Sequence, residues 1–171
     1  MKKIIIVFTI IAFLFSACDH SPTANPPNGE PDNLRTIIDV IDGDTVKLDG
    51  GETVRLVGVD TPEMNSTSPN PPEPCAPEAT AFTDSCANGH KCYLVYNTSV
   101  GDSVDWYGRT LAFVHLWPES TCLNVEIVRY GWSLDWDDYP VRTDYEVLFE
   151  DAEVIAAAAH RGIWNPTENC D

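Results

Sequence analysis

The sequence has few basic residues: its 171 positions hold ten Lys and Arg against 27 Asp and Glu, giving a formal net charge of −17. Two of those cations, Lys2 and Lys3, lie in a segment that we expect to be removed. Because phosphates bind mainly Lys and Arg, a strongly basic domain is the usual mark of nucleic-acid binding. The composition therefore argues against non-specific coating of nucleic acid and against docking on an anionic membrane surface. It does not argue against a small site that handles phosphate with a bound cation.

A membrane-spanning apolar run is also missing. The largely apolar stretch at residues 4–15 is shorter than the about 20 residues that a transmembrane helix needs. It follows two lysines and precedes small residues at 16–17, a pattern typical of an export signal. We therefore predict a signal peptide at residues 1–17 and an exported protein.

Residues 14–18 resemble a bacterial lipobox, in which the cysteine becomes the lipidated first residue of the mature protein. This resemblance predicts a lipid on Cys18 and a membrane-anchored lipoprotein, with ordinary cleavage and secretion as the alternative. Residues 18–33 contain four prolines and no large apolar side chain, so we expect a tether there. The remaining residues 34–171 have the length of one domain, which we expect to be monomeric.

The six cysteines contain no C-x-x-C spacing, and the four histidines are scattered, which argues against a structural zinc site. Six cysteines do fit an exported protein, in which disulfides persist. Cys86 and Cys92 flank the turn between a predicted helix and a predicted strand, and we hypothesise that they pair. Spacing alone does not determine the connectivity.

No internal repeat is visible, and the hydrophobic pattern changes along the chain from strand-like to helix-like. Alternating or branched apolar segments predict five strands, at Leu34–Ile41, Thr45–Leu48, Thr53–Val59, Lys91–Asn97 and Arg109–Trp117. Helical spacing predicts three helices, from Pro77 to Gly89, from Thr121 to Tyr130 and from Thr143 to Gly162. This order indicates an α+β fold in which the five strands suit a small closed barrel.

Four carboxylates fall within the predicted meander, at Asp42, Asp44, Asp60 and Glu63. Each pair alone is explained by an ordinary turn, because Asp-Gly and Thr-Pro are common turn formers. If the strands pair, however, both clusters meet at one barrel edge, where carboxylates repel unless one is protonated or a cation is shared. An all-oxygen ligand set favours a hard ion such as calcium over zinc.

Two of the scarce arginines lie beside these acids. Arg55 interrupts an apolar strand, and Arg109 begins another, so each needs an anionic partner. One interpretation is a salt bridge to the same carboxylates. The other is a bidentate clamp on a phosphate, which the planar guanidinium fits.

These motifs together resemble the staphylococcal nuclease (thermonuclease) family. The resemblance runs from about Leu34 to Trp164 and rests on segments 42–48, 54–63 and 107–109, which contain both acidic turns and both arginines in the family's order and spacing. It implies an OB-fold barrel of five strands with three helices. It also implies a calcium-dependent phosphodiesterase that hydrolyses DNA and RNA, single strands preferred, to 3′-phosphorylated products.

The resemblance implies a role for each matching position. Asp44 and Asp60 would bind Ca²⁺ directly, together with the backbone carbonyl of Thr61, and Asp42 would lie behind them. Glu63 would orient or deprotonate the attacking water, while Arg55 and Arg109 would hold the scissile phosphate. Tyr139 matches one of the family's substrate-facing tyrosines, and Trp136 is a candidate for stacking on a base, although a tryptophan in a small domain is more often a core residue. Tyr107, at the edge of the site, is the second predicted substrate contact, with a structural role as its alternative.

Two departures from the family pattern predict weaker substrate binding than a basic relative would show. The family's lysine-bearing loop is replaced here by the lysine-free, proline-rich segment 65–74, and Trp106 stands where the family has a lysine. Two alternative functions follow: a catalytically weak binding module with this barrel, or a surface lipoprotein that uses the barrel to bind other proteins. Barrels that have lost catalysis typically lose the acidic and arginine positions, and here all are present.

Overall fold

The computed structural model describes residues 31–65, 69–97, 103–135 and 141–165. The predictions for the signal peptide, Cys18, Trp136 and Tyr139 lie outside these residues. The helices are α1 (Ala76–Ala87), α2 (Leu123–Arg129) and α3 (Thr143–Ala158). The strands are β1 (Arg35–Asp42), β2 (Thr45–Leu48), β3 (Thr53–Leu56), β4 (Val59–Asp60), β5 (Lys91–Tyr96), β6 (Thr110–Leu116), β7 (Thr121–Cys122) and β8 (Leu134–Asp135).

Five strands close into a barrel. The sheet order is β3-β2-β1-β5-β6-β7, and β3 also pairs with β6 in parallel, which joins the two sides of the sheet. The two-residue β7 extends the sheet beyond β6, while β4 and β8 form a separate short pair. With its three helices, this is the predicted α+β architecture, a five-stranded OB-fold barrel. Closure leaves few strand edges exposed, which protects a small sheet from pairing with other chains.

A tight turn fixes the register of the β2–β3 hairpin. Gly50 and Gly51 adopt φ values of 85° and 92°, a left-handed conformation that glycine reaches without a steric penalty. The Leu48 N–H donates to the Glu52 carbonyl at 2.8 Å and closes the turn. The hairpin pairs Thr45 with Arg55, so the beginning of β2 lies beside the arginine of β3.

One buried amide ties the barrel to α2. Asn124 is fully buried, and its Nδ2 donates to the carbonyls of Val57 at 2.9 Å and Ala112 at 3.1 Å. Its Oδ1 accepts from the Val114 N–H at 2.9 Å. A buried amide is costly unless its donors and acceptor are used, and here all are used. Asn124 therefore holds the end of β3 against β6, next to the turn that leads to β4.

Helix α3 covers one side of the barrel through an aromatic contact with β6. The Tyr145 ring stacks on Phe113 with centroids 3.7 Å apart, and its hydroxyl lies 2.7 Å from Nε2 of His115. The other ring nitrogen, Nδ1, lies 3.0 Å from the Ser120 carbonyl, which can only accept. His115 therefore donates from Nδ1, and Nε2 accepts from the tyrosine.

The ends of α2 and α3 meet where two glycines touch. A Cβ added to Gly131 would lie 2.2 Å from the Arg161 carbonyl oxygen, and one added to Gly162 would lie 2.3 Å from the Gly131 carbonyl oxygen. The Ile163 N–H donates to that Gly131 carbonyl at 2.8 Å. Only glycine permits this backbone contact, which fixes the chain after α3 against the end of α2.

Three predicted boundaries are wrong in informative ways. The predicted third strand ends at Leu56, because Gly58 turns with φ 72° and sends Val59 into β4. Thr121 and Cys122 pair with β6 instead of beginning α2. Helix α3 ends at Ala158 because His160 takes the left-handed conformation, φ 51°, before the chain reaches Gly162.

The predicted pairing of Cys86 with Cys92 is wrong. Cys92 and Cys122 are buried free thiols, whereas Cys75 and Cys86 are disulfide-bonded. Cys92 lies on β5 facing the core, where burial raises the pKa of its thiol to about 12. Among the described helices, none has the length and apolar character to cross a membrane.

Candidate active site

The Asp42-Gly43-Asp44 corner between β1 and β2 is held from two sides. The Thr83 hydroxyl of α1 donates to the Gly43 carbonyl at 2.7 Å. Thr61 packs directly on Gly43, where an added Cβ would lie 2.5 Å from the Thr61 Oγ1. The corner therefore needs glycine for a close approach, and that approach brings the Thr61 segment against Asp44.

Asp44 is almost fully buried, and its oxygens are surrounded by donors. Its Oδ2 accepts from the Thr61 N–H at 3.0 Å and from the Thr61 hydroxyl at 3.2 Å, and its Oδ1 accepts from the Thr45 hydroxyl at 3.0 Å. Oδ2 also lies 2.8 Å from Nη1 of Arg55. A buried carboxylate is costly unless it is paired and hydrogen-bonded, and Asp44 is both.

Asp60 reaches the same place from the short β4–β8 pair. It pairs with Leu134 across that sheet, and its N–H donates to the Ser133 hydroxyl at 2.8 Å. Glu63 follows three residues later. Asp44, Asp60 and Glu63 each offer a carboxylate oxygen within 4.8 Å of the others. The predicted meeting of the two acidic turns is therefore present at this edge of the barrel.

Arg55 lies among these acids. Its Nη1 donates to the Val59 carbonyl at 2.6 Å and lies 2.8 Å from Asp44, and its Nη2 lies 3.0 Å from Oδ1 of Asp60. The side chain is nearly buried. Arg55 therefore forms salt bridges with the neighbouring carboxylates, as the first of the two interpretations of this arginine predicts.

Arg109 is fixed by a turn that begins four residues earlier. Asp105 accepts from the N–H groups of Tyr107 and Arg109 at 2.9 Å each, and its Oδ2 lies 2.6 Å from Nε of Arg109. The other end of the Arg109 guanidinium points toward β2, where its Nη1 donates to the Thr45 hydroxyl at 3.3 Å. The same Thr45 hydroxyl donates a hydrogen bond to Asp44, so it connects Arg109 to the acidic cluster.

The same turn carries two aromatic side chains in solvent. Trp106 is 97% exposed and Tyr107 is 86% exposed. The Arg109 guanidinium carbon lies 5.3 Å from the centre of the Tyr107 ring, within the range of a cation–π contact. Two aromatic rings are thereby presented next to an arginine of the site.

The family model described as staphylococcal nuclease homologue matches residues 53–166, which include both arginines and the second acidic turn. The chain belongs to the staphylococcal nuclease family. The thermonuclease of Staphylococcus intermedius is 36% identical over 129 residues, covering 73% of this chain and 72% of that protein. The thermonuclease of Staphylococcus hyicus is 33% identical over 133 residues, covering 75% and 74%. Endonuclease YhcR of Bacillus subtilis (strain 168) is 29% identical over 160 residues, which are 84% of this chain but 12% of that protein.

The staphylococcal nuclease family uses calcium, and the acidic cluster of this member fits that ion. Two oxygens bound at about 2.4 Å to one Ca²⁺ lie at most about 4.8 Å apart, and the carboxylate oxygens that Asp44, Asp60 and Glu63 offer lie within 4.8 Å of one another. Within the part of the chain that the structure describes, Oδ1 of the neighbouring Asp42 is buried and has no hydrogen-bond partner. Oxygen-only donors and excess negative charge are what a hard divalent cation requires.

The electrostatics agree with that fit. Burial, together with the charge of Asp42, raises the pKa of Asp44 to about 6, although Arg55 opposes the shift. Partial desolvation, followed by neighbouring acids, also raises the pKa values of Asp60 and Glu63 above their ordinary values, although both side chains remain in contact with solvent. Without a cation, the cluster therefore holds negative charge that one arginine does not offset.

Three residues that position this staphylococcal nuclease site were missed in the sequence. Thr83 and Ser133 act across 40 and 73 residues of chain, and no local pattern indicates such partners. Asp105 did carry a signal, because Asp at the first and Gly at the fourth position favour a type I turn. The Gly108 N–H donates to the Asp105 carbonyl at 3.0 Å, as that turn requires.

Proposed function

We propose that this protein is a calcium-dependent nuclease that hydrolyses phosphodiester bonds of DNA and RNA to 3′-phosphorylated products. The observation that carries the proposal is the cluster of Asp44, Asp60 and Glu63, whose oxygens lie within 4.8 Å of one another with Arg55 between the two aspartates. The names of its relatives, two thermonucleases and an endonuclease, support the same chemistry.

The cation would be held by the carboxylates of Asp44 and Asp60 and by the backbone carbonyl of Thr61. Thr61 supports this assignment because its N–H and hydroxyl already bind Asp44, which ties the two ligand segments together. When bound, calcium supplies positive charge that polarises a phosphoryl oxygen.

Of the remaining site residues, Glu63 acts on the attacking water, and the two arginines act on the phosphate. Glu63 orients the attacking water and accepts its proton as the water oxygen bonds to phosphorus. The P–O5′ bond breaks, and the departing 5′-oxygen takes up a proton from solvent to give a 5′-hydroxyl. Arg55 and Arg109 bind the equatorial phosphoryl oxygens, where negative charge grows in the transition state. Positioned donors of this kind act strongly in a partly buried site, and Arg55 is nearly buried.

Single strands are the preferred substrate in this proposal. Unpaired bases stack on exposed aromatic side chains, and Trp106 and Tyr107 offer two such rings beside Arg109. Tyr139, the other predicted substrate contact, lies outside the described residues. With a net charge of −17, the protein gains little affinity from general phosphate attraction, so contacts with bases become more important.

The test is digestion of heat-denatured DNA and of RNA by the purified, folded protein, with calcium and with EDTA. We expect cleavage with calcium, none in EDTA, and fragments that carry 3′-phosphates. A protein that is folded by circular dichroism but cuts neither substrate with calcium would contradict the proposal and favour a binding module. Equal cleavage in EDTA would contradict the role of the cation.

We further propose that the protein acts outside the cytoplasm, anchored by a lipid on Cys18. The signal-like residues 1–17 and the proline-rich tether support this location, and the acidic composition argues that the domain does not bind the membrane surface itself. Mass spectrometry of the protein from its membrane fraction should detect a diacylglyceryl group on Cys18. Because the lipid thioether consumes the Cys18 thiol, finding Cys18 in a disulfide-linked peptide would contradict the anchor.

A further inference from the structure

Glu73 makes two hydrogen bonds to the main chain of Glu63. Its Oε2 accepts from the Glu63 N–H at 3.0 Å, and its own N–H donates to the Glu63 carbonyl at 2.9 Å. The two residues are ten positions apart, and the proline-rich segment runs between them. Both polar groups of the Glu63 backbone are therefore bound by one residue.

The segment around Glu73 is itself anchored. The Asn65 side-chain amide donates to the Pro71 carbonyl at 2.9 Å, and the Ala76 N–H at the start of α1 donates to the Glu73 carbonyl at 3.0 Å. Cys75, two residues after Glu73, is disulfide-bonded. Proline at positions 71, 72 and 74 restricts φ on both sides of Glu73. Glu73 thus belongs to a part of the loop with little conformational freedom.

The carboxylate of Glu63 lacks comparable support. Within the described residues, no hydrogen-bond donor is recorded on its side chain, and the residue is exposed. Its position relative to Asp44 and Asp60 therefore depends on how firmly its backbone is held. Among the described residues, the two hydrogen bonds of Glu73 hold the Glu63 backbone.

We propose that Glu73 is a positioning residue, which fixes the Glu63 backbone so that the Glu63 carboxylate stays beside Asp44 and Asp60. The inference rests on the proposed function of Glu63 as the group that receives the water proton. Such a group must be held near its productive position, because a displacement of about 1 Å costs on the order of 10²-fold in rate. In this proposal, the lysine-free loop contributes to catalysis by holding the Glu63 backbone and not by binding phosphate.

The test separates the hydrogen bond of Glu73 from its charge. Glu73→Gln keeps an oxygen that accepts from the Glu63 N–H, whereas Glu73→Ala removes both the acceptor and the charge. We expect Glu73→Ala to lower kcat by about 10- to 100-fold with little change in KM, and Glu73→Gln to restore most of kcat. Glu78→Ala is the matched control, because Glu78 is also exposed and lies five residues away at the start of α1.

A second measurement does not depend on cleavage. Amide hydrogen exchange at Glu63 in the metal-free protein should be slow in the wild type and in Glu73→Gln, and faster in Glu73→Ala. Equal exchange and equal kcat in Glu73→Ala and the wild type would overturn the inference. So would an equal loss of kcat in both variants, because charge would then be responsible. If the wild type does not cleave at all, the proposed function fails, and the exchange experiment still decides whether Glu73 holds Glu63.

Discussion

Replacing Glu63 with glutamine is expected to lower calcium-dependent kcat by about 10²- to 10⁴-fold, the usual contribution of a positioned general base, while stabilising the metal-free protein. Glutamine keeps the size of the side chain but cannot accept the proton of the attacking water. Its stabilising effect has a separate cause. Partial desolvation of this exposed carboxyl, followed by the charge of Asp44, raises the pKa of Glu63, so the folded protein disfavours the ionised form.

The sign of the pH dependence follows from that shift. A carboxyl group whose pKa is higher in the folded state contributes stability below its unfolded value, about 4.5, and loses it as the pH rises through the folded value. In EDTA, the thermal midpoint of Glu63→Gln should therefore exceed that of the wild type at pH 7, and the difference should shrink toward pH 4.

The control for Glu63→Gln is Glu150→Gln, since Glu150 is also exposed, lies on α3 and is not a member of the acidic cluster. That variant should match the wild type in kcat and in its thermal midpoint at both pH values. The assignment of Glu63 would be wrong if Glu63→Gln cut heat-denatured DNA at the wild-type rate. A lower midpoint in EDTA at pH 7 would contradict the electrostatic account even if the activity were lost.

Most of the barrel could be predicted because its signals are local. Alternating apolar residues marked the five strands, and the glycines at 50 and 51 are typical of the hairpin turn that joins β2 to β3. The errors lie where a tertiary contact overrides local preference. Val59 continues an apolar run but pairs with Asp135, and His160 ends α3 although a glycine follows two residues later. Such outcomes depend on pairing with distant segments, which periodicity does not contain.

The candidate site likewise has a part that the sequence predicts and a part that it does not. Asp44, Asp60 and Glu63 were predicted to meet because two strands of one meander bring their turns to one edge, and their oxygens do meet. The groups that hold them were not predictable. The Ser133 hydroxyl reaches Asp60 from a segment 73 residues away, and Glu73 lies in a loop that composition marks only as irregular. The positions of the candidate metal ligands follow from the order of the strands. The residues that hydrogen-bond to those ligands come from distant segments, and their positions follow from tertiary packing.

A second large effect is expected from Arg55. Replacing it with lysine should lower kcat by about 10²- to 10³-fold, the usual cost of removing one positioned donor to the transition state. Arg55 uses two guanidinium nitrogens to contact the Val59 carbonyl, Asp44 and Asp60. Lysine has one nitrogen and cannot reproduce that planar fork, and it cannot bind two phosphoryl oxygens side by side.

Alanine at the same position tests the structural part of the role. Arg55→Ala leaves Asp44 buried without its cation, and breaking a buried pair typically costs about 3–5 kcal/mol. The free energy of unfolding from urea titration should fall in the order wild type, Arg55→Lys, Arg55→Ala. Arg142→Ala is the matched control, because Arg142 and Asp144 form an exposed pair at 2.8 Å, and such pairs contribute at most about 1 kcal/mol.

The two interpretations of Arg55 make different predictions for folded protein. If Arg55 serves only as the salt-bridge partner of Asp44 and Asp60, cleavage by Arg55→Lys should follow the folded fraction and recover fully at low temperature. If it also binds the scissile phosphate, kcat should remain low in fully folded Arg55→Lys. We expect the second result, because the Arg55 guanidinium lies 2.8 Å from Asp44 and 3.0 Å from Asp60, the two carboxylates that would hold the proposed cation. Full recovery of kcat in the folded variant would reduce Arg55 to a structural residue and leave Arg109 as the sole arginine of the proposed clamp.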